Sequence, residues 1–128
     1  FSSPTGDNPY ILHNIPKNCI VYTGTHDNTP VRGWYDQDAT PAEKERLFAY
    51  LGRKPESHEI SDIFIRLAMM SGANTAIIPM QDILGCDHTA RMNIPGTKEG
   101  NWRWRLNNDY HESDRAQKLR EYTVIYGR

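Results

Sequence analysis

Two short, largely apolar runs of the chain are separated by segments with helical signals. The first, "CIVYT" at residues 19–23, is rich in β-branched and aromatic residues and is bounded by turn formers. The second, "TAIIPM" at residues 75–80, also lacks polar alternation. Runs of this kind are typical of strands buried on both faces, and their separation by helices favours parallel pairing. The pattern therefore predicts a βαβ unit of an α/β fold.

Helix signals mark the region between the two runs. Residues 40–43, "TPAE", form a capping box with proline at the first helical position, so a helix is predicted from there to Leu51, before Gly52. A second helix is predicted by a mostly apolar stripe at i, i+3, i+4, i+7, i+8 and i+11, with Gly72 as its C-terminal cap. That stripe comprises Ile60, Ile63, Phe64, Leu67, Ala68 and Ser71.

Loops are predicted at the start of the chain and after the second strand. Residues 1–18 contain four turn-forming Pro and Gly residues, and residues 86–106 are rich in Gly, Pro and Asn. A long loop after a parallel strand is where α/β folds place functional residues. A last helix is predicted within residues 112–127, capped by Ser113, with an inner face formed by Ala116, Leu119, Tyr122 and Tyr126.

Two parallel strands make a poor sheet by themselves, because their outer edges stay unpaired and both faces need cover. The 128-residue chain also opens without Met, inside a predicted loop. We therefore expect a piece of a larger α/β sheet or barrel, with self-association through open strand edges as a possible behaviour of the isolated chain.

Composition narrows the choice of partners and compartment. With 38% hydrophobic and 24% charged residues and a net charge of −1, the chain offers no electrostatic argument for nucleic acid or a membrane surface. No apolar run is long enough to cross a bilayer, and no signal peptide is visible at the start. Cys19 and Cys86 are far apart, which favours reduced thiols in the cytoplasm. Adjacent Cys86, Asp87 and His88 cannot easily converge on one ion, so no metal or cofactor is predicted.

The pair His26 and Asp27 follows directly after the first predicted strand. A carboxylate just beyond the C-terminal end of a parallel strand lies where α/β barrels place catalytic groups. Aspartate and asparagine are also common turn formers, and on position alone a simple turn is the favoured interpretation.

The loop of residues 90–104 is the second candidate site. Asn93 can donate and accept hydrogen bonds, Pro95 stiffens a turn, and Trp102 and Trp104 provide flat apolar faces. Amides and indoles of this kind are suited to sugars, whose hydroxyls need polar partners and whose C–H faces stack on aromatic rings. The alternative is a packed structural loop, and for the two tryptophans burial is the favoured interpretation because indoles are highly buried on average.

Three blocks in this order resemble the C-terminal part of the 4-α-glucanotransferases, also called amylomaltases or disproportionating enzymes. They are "GTHDN" at 24–28, "QDILG" at 81–85 and "ARMNIPGTKEGNWRWRL" at 90–106. The resemblance implies the C-terminal portion of a (β/α)8 TIM barrel, containing its last two parallel strands with their helices. Residues 1–128 are then part of a catalytic barrel and incomplete as a domain. The implied reaction transfers α-1,4-glucan segments between maltooligosaccharides with retention.

The resemblance also implies residue roles. Asp27 corresponds to a third catalytic carboxylate, neither nucleophile nor acid, which holds the transferred sugar and stabilises its cation-like transition state. His26 is expected to bind the same sugar ring, and Asn93 and Pro95 to line the substrate site. The nucleophile and the acid/base lie on earlier strands of the family's barrel, so the chain alone is expected to be inactive. Its expected partners are α-1,4-glucans and the remainder of the barrel; the alternative is a non-catalytic glucan-binding or structural fragment.

Overall fold

A computed structural model describes residues 5–107 and 114–128 of the chain. Its strands are β1 (Ile20–Tyr22) and β2 (Thr75–Ile77), and its α-helices are α1 (Val31–Gly33), α2 (Pro41–Leu51), α3 (Ile60–Met70), α4 (Met80–Ile83) and α5 (Arg115–Ile125). A π-helical turn, Trp34–Asp38, continues α1, and 3-10 turns lie at Leu12–Asn14, Ser57–Glu59 and His88–Ala90. None of the helices in the described ranges is long and apolar enough to cross a bilayer.

The two strands pair in parallel, as the sequence predicted. Ile20 lies opposite Thr75, Val21 opposite Ala76, and Tyr22 opposite Ile77. The predicted burial on both faces is wrong for these strands, because the side chains of Ile20, Tyr22 and Ile77 are nearly half exposed. Successive strand residues point to opposite faces, and the helices in the described part of the chain cover only the face that carries the central residues. The second strand is also shorter than predicted, because it ends at Ile77 and Pro79 is the N-cap of α4.

Helix α2 has the predicted bounds and the predicted cap. The Thr40 side chain accepts from the Glu43 amide, while the Glu43 carboxylate accepts from the Thr40 amide. Gly52 ends the helix with a left-handed φ of 72°. Both termini are therefore determined by local sequence signals.

Helix α3 begins at the predicted stripe, but its predicted glycine cap is wrong. The helix ends at Met70 and its C-cap is Ser71, which has an extended backbone conformation. The Ser71 hydroxyl donates to the carbonyl of Ala68 at 2.8 Å. This side-chain bond satisfies one of the last carbonyls, so Gly72 is not needed as a left-handed cap.

The core consists of two clusters on either side of α3. One contains Val31, Tyr35, Leu47 and Ile60, and the other contains Ile65, Met69 and Tyr122. In the predicted inner face of α5, Tyr122 is buried and Leu119 and Tyr126 pack against it. Ala116 is exposed, contrary to prediction, and the first turn of α5 is held instead by Arg115, whose guanidinium donates to the carbonyl of Ile83 at 2.8 Å. The predicted cap Ser113 lies outside the described residues.

Candidate functional site

The loops that follow β1 and β2 meet at the carboxyl ends of the two strands. Asn93 Nδ2 donates to Asp27 Oδ1 at 2.6 Å, and the Asn93 amide donates to the carbonyl of His26 at 3.0 Å. His26 Nε2 lies 3.4 Å from the same carboxylate oxygen. Three of the four residues predicted from the sequence therefore form one cluster, which we call the carboxylate cluster: His26, Asp27 and Asn93.

Arg91 joins the two loops that carry this cluster. Its Nη2 donates to the carbonyl of Asp27 at 2.7 Å, and its Nε donates to the carbonyl of Asn93 at 2.9 Å. Its Nη1 donates to the Thr29 hydroxyl at 2.9 Å, and that hydroxyl donates in turn to Asp38 at 2.6 Å. A planar guanidinium presents its donors in fixed directions, so this side chain holds both loops in one relative position.

Pro95, the fourth predicted residue, lies apart from the carboxylate cluster. It is exposed and is not among the residues that line the groove around Asp27. Its segment closes on itself, because Asn101 Oδ1 accepts from the Ile94 amide at 2.9 Å and Asn101 Nδ2 donates to the Thr97 hydroxyl at 2.9 Å. We call residues 94–101 the closed loop.

Trp102 is exposed, so the predicted burial of its indole is wrong. The side chain is 54% exposed, and its ring centroid lies 5.2 Å from that of His26. The backbone φ of Trp102 is 61°, a left-handed value that is uncommon for a bulky residue, and its amide donates to the carbonyl of Met92 at 2.7 Å. This backbone turn directs the indole over His26 rather than into the core, whereas Trp104 is half-buried.

A buried carboxylate lies beneath the first loop. Asp82, in the first turn of α4, is only 1% exposed. Its Oδ2 accepts from the Thr23 hydroxyl at 2.6 Å and its Oδ1 accepts from the Val31 amide at 2.8 Å. Burial raises the pKa of Asp82, although the two hydrogen bonds oppose that rise.

A groove with a volume of about 850 Å³ opens around Asp27. Its walls combine the two carboxylates Asp27 and Asp38 with aromatic side chains that include Tyr10, Tyr22 and Trp34. A smaller cavity of about 190 Å³ lies beside His26 and Trp102. Carboxylates accept hydrogen bonds from hydroxyl groups, and aromatic faces pack on C–H surfaces, so the groove has the chemistry of a carbohydrate site.

The sequence pattern of the family described as 4-alpha-glucanotransferase, glycoside hydrolase family 77, matches residues 1–111. The chain belongs to the 4-alpha-glucanotransferase family. It is 41% identical over 122 residues to the 4-alpha-glucanotransferase of Aquifex aeolicus, covering 95% of this chain and 24% of that protein. It is 46% identical over 125 residues to the chloroplastic/amyloplastic 4-alpha-glucanotransferase of Solanum tuberosum, covering 95% of this chain and 21% of that protein. The chain thus spans about a quarter or less of the length of these relatives.

A solved structure supports the same assignment. The amylomaltase from Streptococcus agalactiae, in complex with acarbose, matches with a TM-score of 0.87 and 36% identity, over 97% of this chain and 25% of that one. The predicted fold class is confirmed: β1, β2 and their helices are a portion of the (β/α)8 barrel of 4-alpha-glucanotransferases. The exposed strand face fits this assignment, since only part of the barrel is present in the chain.

Sequence reasoning missed the groove residues Trp34 and Asp38, which lie on the helical segment of residues 31–38. A weak signal for that segment exists, because Val31, Trp34 and Tyr35 are apolar at i, i+3 and i+4 after a proline. Sequence reasoning also assigned no role to Asp82 or Arg91, although both lie in blocks of the family resemblance.

The polar residues Cys86, Asp87 and His88 follow α4 and make separate contacts. The Asp87 carboxylate accepts from the Thr89 amide and hydroxyl, and these bonds lower the pKa of Asp87. His88 Nδ1 lies 2.8 Å from Gln37 Nε2, and Cys86 is a free, half-buried thiol. Within residues 5–107 and 114–128, no group of three His, Cys, Asp or Glu side chains is placed to hold a metal ion.

Proposed function

We propose that the chain forms part of a 4-α-glucanotransferase that transfers α-1,4-glucan segments between maltooligosaccharides with retention. The observation that carries this proposal is the carboxylate cluster, in which Asp27 is fixed by Asn93 at the open side of an aromatic and acidic groove. Family membership and the names of the relatives agree with this activity.

Asp27 is well placed to act on a sugar. Its Oδ1 accepts from Asn93, while among the described residues no group donates to its Oδ2, which leaves that oxygen for a substrate hydroxyl. A retaining transfer passes through an oxocarbenium-like transition state that develops positive charge. A fixed carboxylate stabilises that charge more than it stabilises the neutral ground state, so Asp27 is proposed to accelerate the reaction.

His26 and Asn93 are proposed to complete the sugar site. His26 presents ring nitrogens beside Asp27, and its imidazole is held against the indole of Trp102. Asn93 fixes the carboxylate and keeps its remaining amide capacity for the substrate. Pro95 is proposed to line the substrate site from the exposed part of the closed loop, where its ring makes the rim of the site more rigid.

The chain alone is proposed to be inactive. A retaining transfer requires two further carboxyl groups about 5 Å apart, a nucleophile and an acid/base. We propose that the remainder of the barrel supplies them and covers the exposed strand face, and that the isolated chain self-associates through its open strand edges. A cytoplasmic location is proposed because Cys19 and Cys86 are both free thiols.

The test is Asp27→Asn in the full-length protein, assayed for disproportionation of maltotriose. Loss of the negative charge is expected to lower kcat by at least roughly 10²- to 10³-fold, with an unchanged melting temperature. The matched control is Asp114→Asn, at an exposed aspartate before α5, which is expected to keep normal activity. Near-normal transfer by Asp27→Asn contradicts the proposed role of Asp27.

A glucan-binding module without turnover is distinguished in the same experiment. Such a module binds maltooligosaccharides in calorimetry, but the full-length wild-type protein shows no transfer of glucose units. A wild-type protein that redistributes maltotriose into longer and shorter products supports the transferase.

A further inference from the structure

Asp82 is a buried carboxylate that the proposed mechanism does not use. Among the described residues, the buried polar or charged side chains are Ser61 and Asp82, and only Asp82 carries an ionisable group. Burying a carboxylate is costly unless hydrogen bonds replace the water it loses. A buried carboxylate at this position therefore indicates a role that an apolar side chain of the same size cannot perform.

The two oxygens of Asp82 bind donors at the two ends of one segment. The Thr23 hydroxyl, which binds Oδ2, directly follows β1, and the Val31 amide, which binds Oδ1, begins α1. Between these two donors lie residues 24–30, which carry His26 and Asp27. One side chain on the neighbouring strand-loop unit thus anchors both ends of the segment.

The segment between the anchors is closed by its own bonds. The Asn28 side-chain oxygen accepts from the Thr25 amide at 2.8 Å and from the Thr25 hydroxyl at 2.9 Å, and the Asn28 amide donates to the carbonyl of Thr25 at 3.1 Å. These bonds determine the shape of the turn but not its position over the sheet. Its position depends on the bonds at its ends and on those from the second loop.

We infer that Asp82 is a positioning residue, which places the segment of residues 24–30 so that Asp27 meets the transferred sugar in the proposed glucanotransferase reaction. This inference rests on the proposed function. Asp82 borders the smaller cavity beside His26 and Trp102, but it is not among the residues that line the larger groove around Asp27. In that groove it acts through the segment and not by contact with substrate.

Two substitutions separate positioning from a direct effect of charge. Asp82→Asn can keep both anchors: its amide oxygen accepts from the Val31 amide, and its amide nitrogen donates to the Thr23 hydroxyl oxygen. Asp82→Leu has a similar size but accepts nothing, so it leaves the Val31 amide buried and unpaired. If Asp82 acts by placing the segment of residues 24–30, Asp82→Asn retains activity. If Asp82 acts through its negative charge, Asp82→Asn loses as much activity as Asp82→Leu.

The experiment measures kcat and KM for maltotriose disproportionation by the full-length protein. Asp82→Leu is expected to lower kcat by roughly 10- to 100-fold through misplacement of Asp27, with KM within about threefold of wild type because Asp27 acts mainly in the transition state. Asp82→Asn is expected to stay within about threefold of wild-type kcat. Equal losses in both variants, or a wild-type kcat in Asp82→Leu, overturn the inference.

A second pair of variants keeps the test decisive if Asp82→Leu does not fold. Thr23→Val removes one anchor and keeps the shape of the side chain, whereas Thr23→Ser keeps the hydroxyl. Thr23→Val is expected to lower kcat by about threefold to tenfold and Thr23→Ser to restore it. Equal kcat values for this pair contradict the inference, and a wild-type protein without any transfer refutes the proposed function itself.

Discussion

Arg91 offers the most direct test of how the two site loops are held together. Arg91→Met keeps much of the side-chain volume but removes the donors to Asp27, Thr29 and Asn93. The bonds end on two backbone carbonyls and one hydroxyl, and all three bonds are partly buried. Without the guanidinium, the hydrogen bonds of Asn93 to Asp27 and His26 and the contact between the His26 and Trp102 rings remain between the loops.

The magnitude follows from the number and type of these bonds. Hydrogen bonds from a charged donor contribute about 1.5 to 3 kcal/mol each when the acceptor is left buried, and less when water replaces the donor. Because the acceptors of Arg91 are only partly buried, we expect a total loss of about 2 to 4 kcal/mol in the free energy of local opening. This corresponds to a roughly 30- to 1000-fold larger equilibrium constant for opening of the loops, since about 1.4 kcal/mol is a factor of ten.

Hydrogen exchange measures this loss in the full-length protein. The amide to follow is that of Asn93, which donates to the carbonyl of His26 in the other loop. The Asn28 amide, whose acceptor Thr25 lies in the same turn, is an internal reference. The matched control is Arg53→Met, which breaks an exposed ion pair with Glu59 and is expected to leave these amides unchanged. Exchange at the Asn93 amide within about threefold of wild type in Arg91→Met refutes the proposed coupling of the loops.

Two further predictions concern packing and pH. Gly33→Ala places a Cβ 2.5 Å from the backbone nitrogen of His88, so this variant is expected to lower the free energy of unfolding by about 1 to 3 kcal/mol. Urea titration measures this loss. The control Gly6→Ala, whose Cβ meets nothing within 4 Å, is expected to leave the free energy of unfolding unchanged. Burial and the bond to Asp62 raise the pKa of Tyr122 from 10.0 to about 12. The folded state therefore holds this proton more tightly, so its stabilising contribution is complete below about pH 10 and is lost as the pH rises towards 12. Tyr122→Phe is expected to show a smaller loss of stability over that range than wild type in thermal melts, and an equal loss contradicts the assignment.

Local signals in the sequence were sufficient for several elements. The cap at Thr40 and the stop at Gly52 determine α2, because Thr40 and Glu43 satisfy backbone groups of the first turn and Gly52 adopts a left-handed conformation that ends the helix. The apolar runs identified both strands, and the helices between them indicated the parallel pairing, since parallel strands need a crossover connection. The resemblance assigned Asp27 and Asn93 to one substrate site, and the two side chains are hydrogen-bonded because parallel strands place their succeeding loops at one edge.

Other features depend on contacts between distant parts of the chain and were not predictable from local pattern. The exposure of Trp102 results from a left-handed backbone turn that no neighbouring residue signals. The depth of Asp82 results from donors that lie 59 and 51 residues away in sequence. The helical segment at 31–38 carries little periodicity of its own and is held by packing of Gly33 against the backbone of His88.

The closed loop has a consequence for protein engineering. Its hydrogen bonds run from Asn101 back to Ile94 and Thr97, so its ends stay together without support from the rest of the barrel. Residues 94–100 are exposed, whereas Arg91 and Asn93 are tied to the other loop. The tip near Lys98 is therefore the natural place to graft foreign sequences, because the graft leaves Asp27 and its supports unchanged.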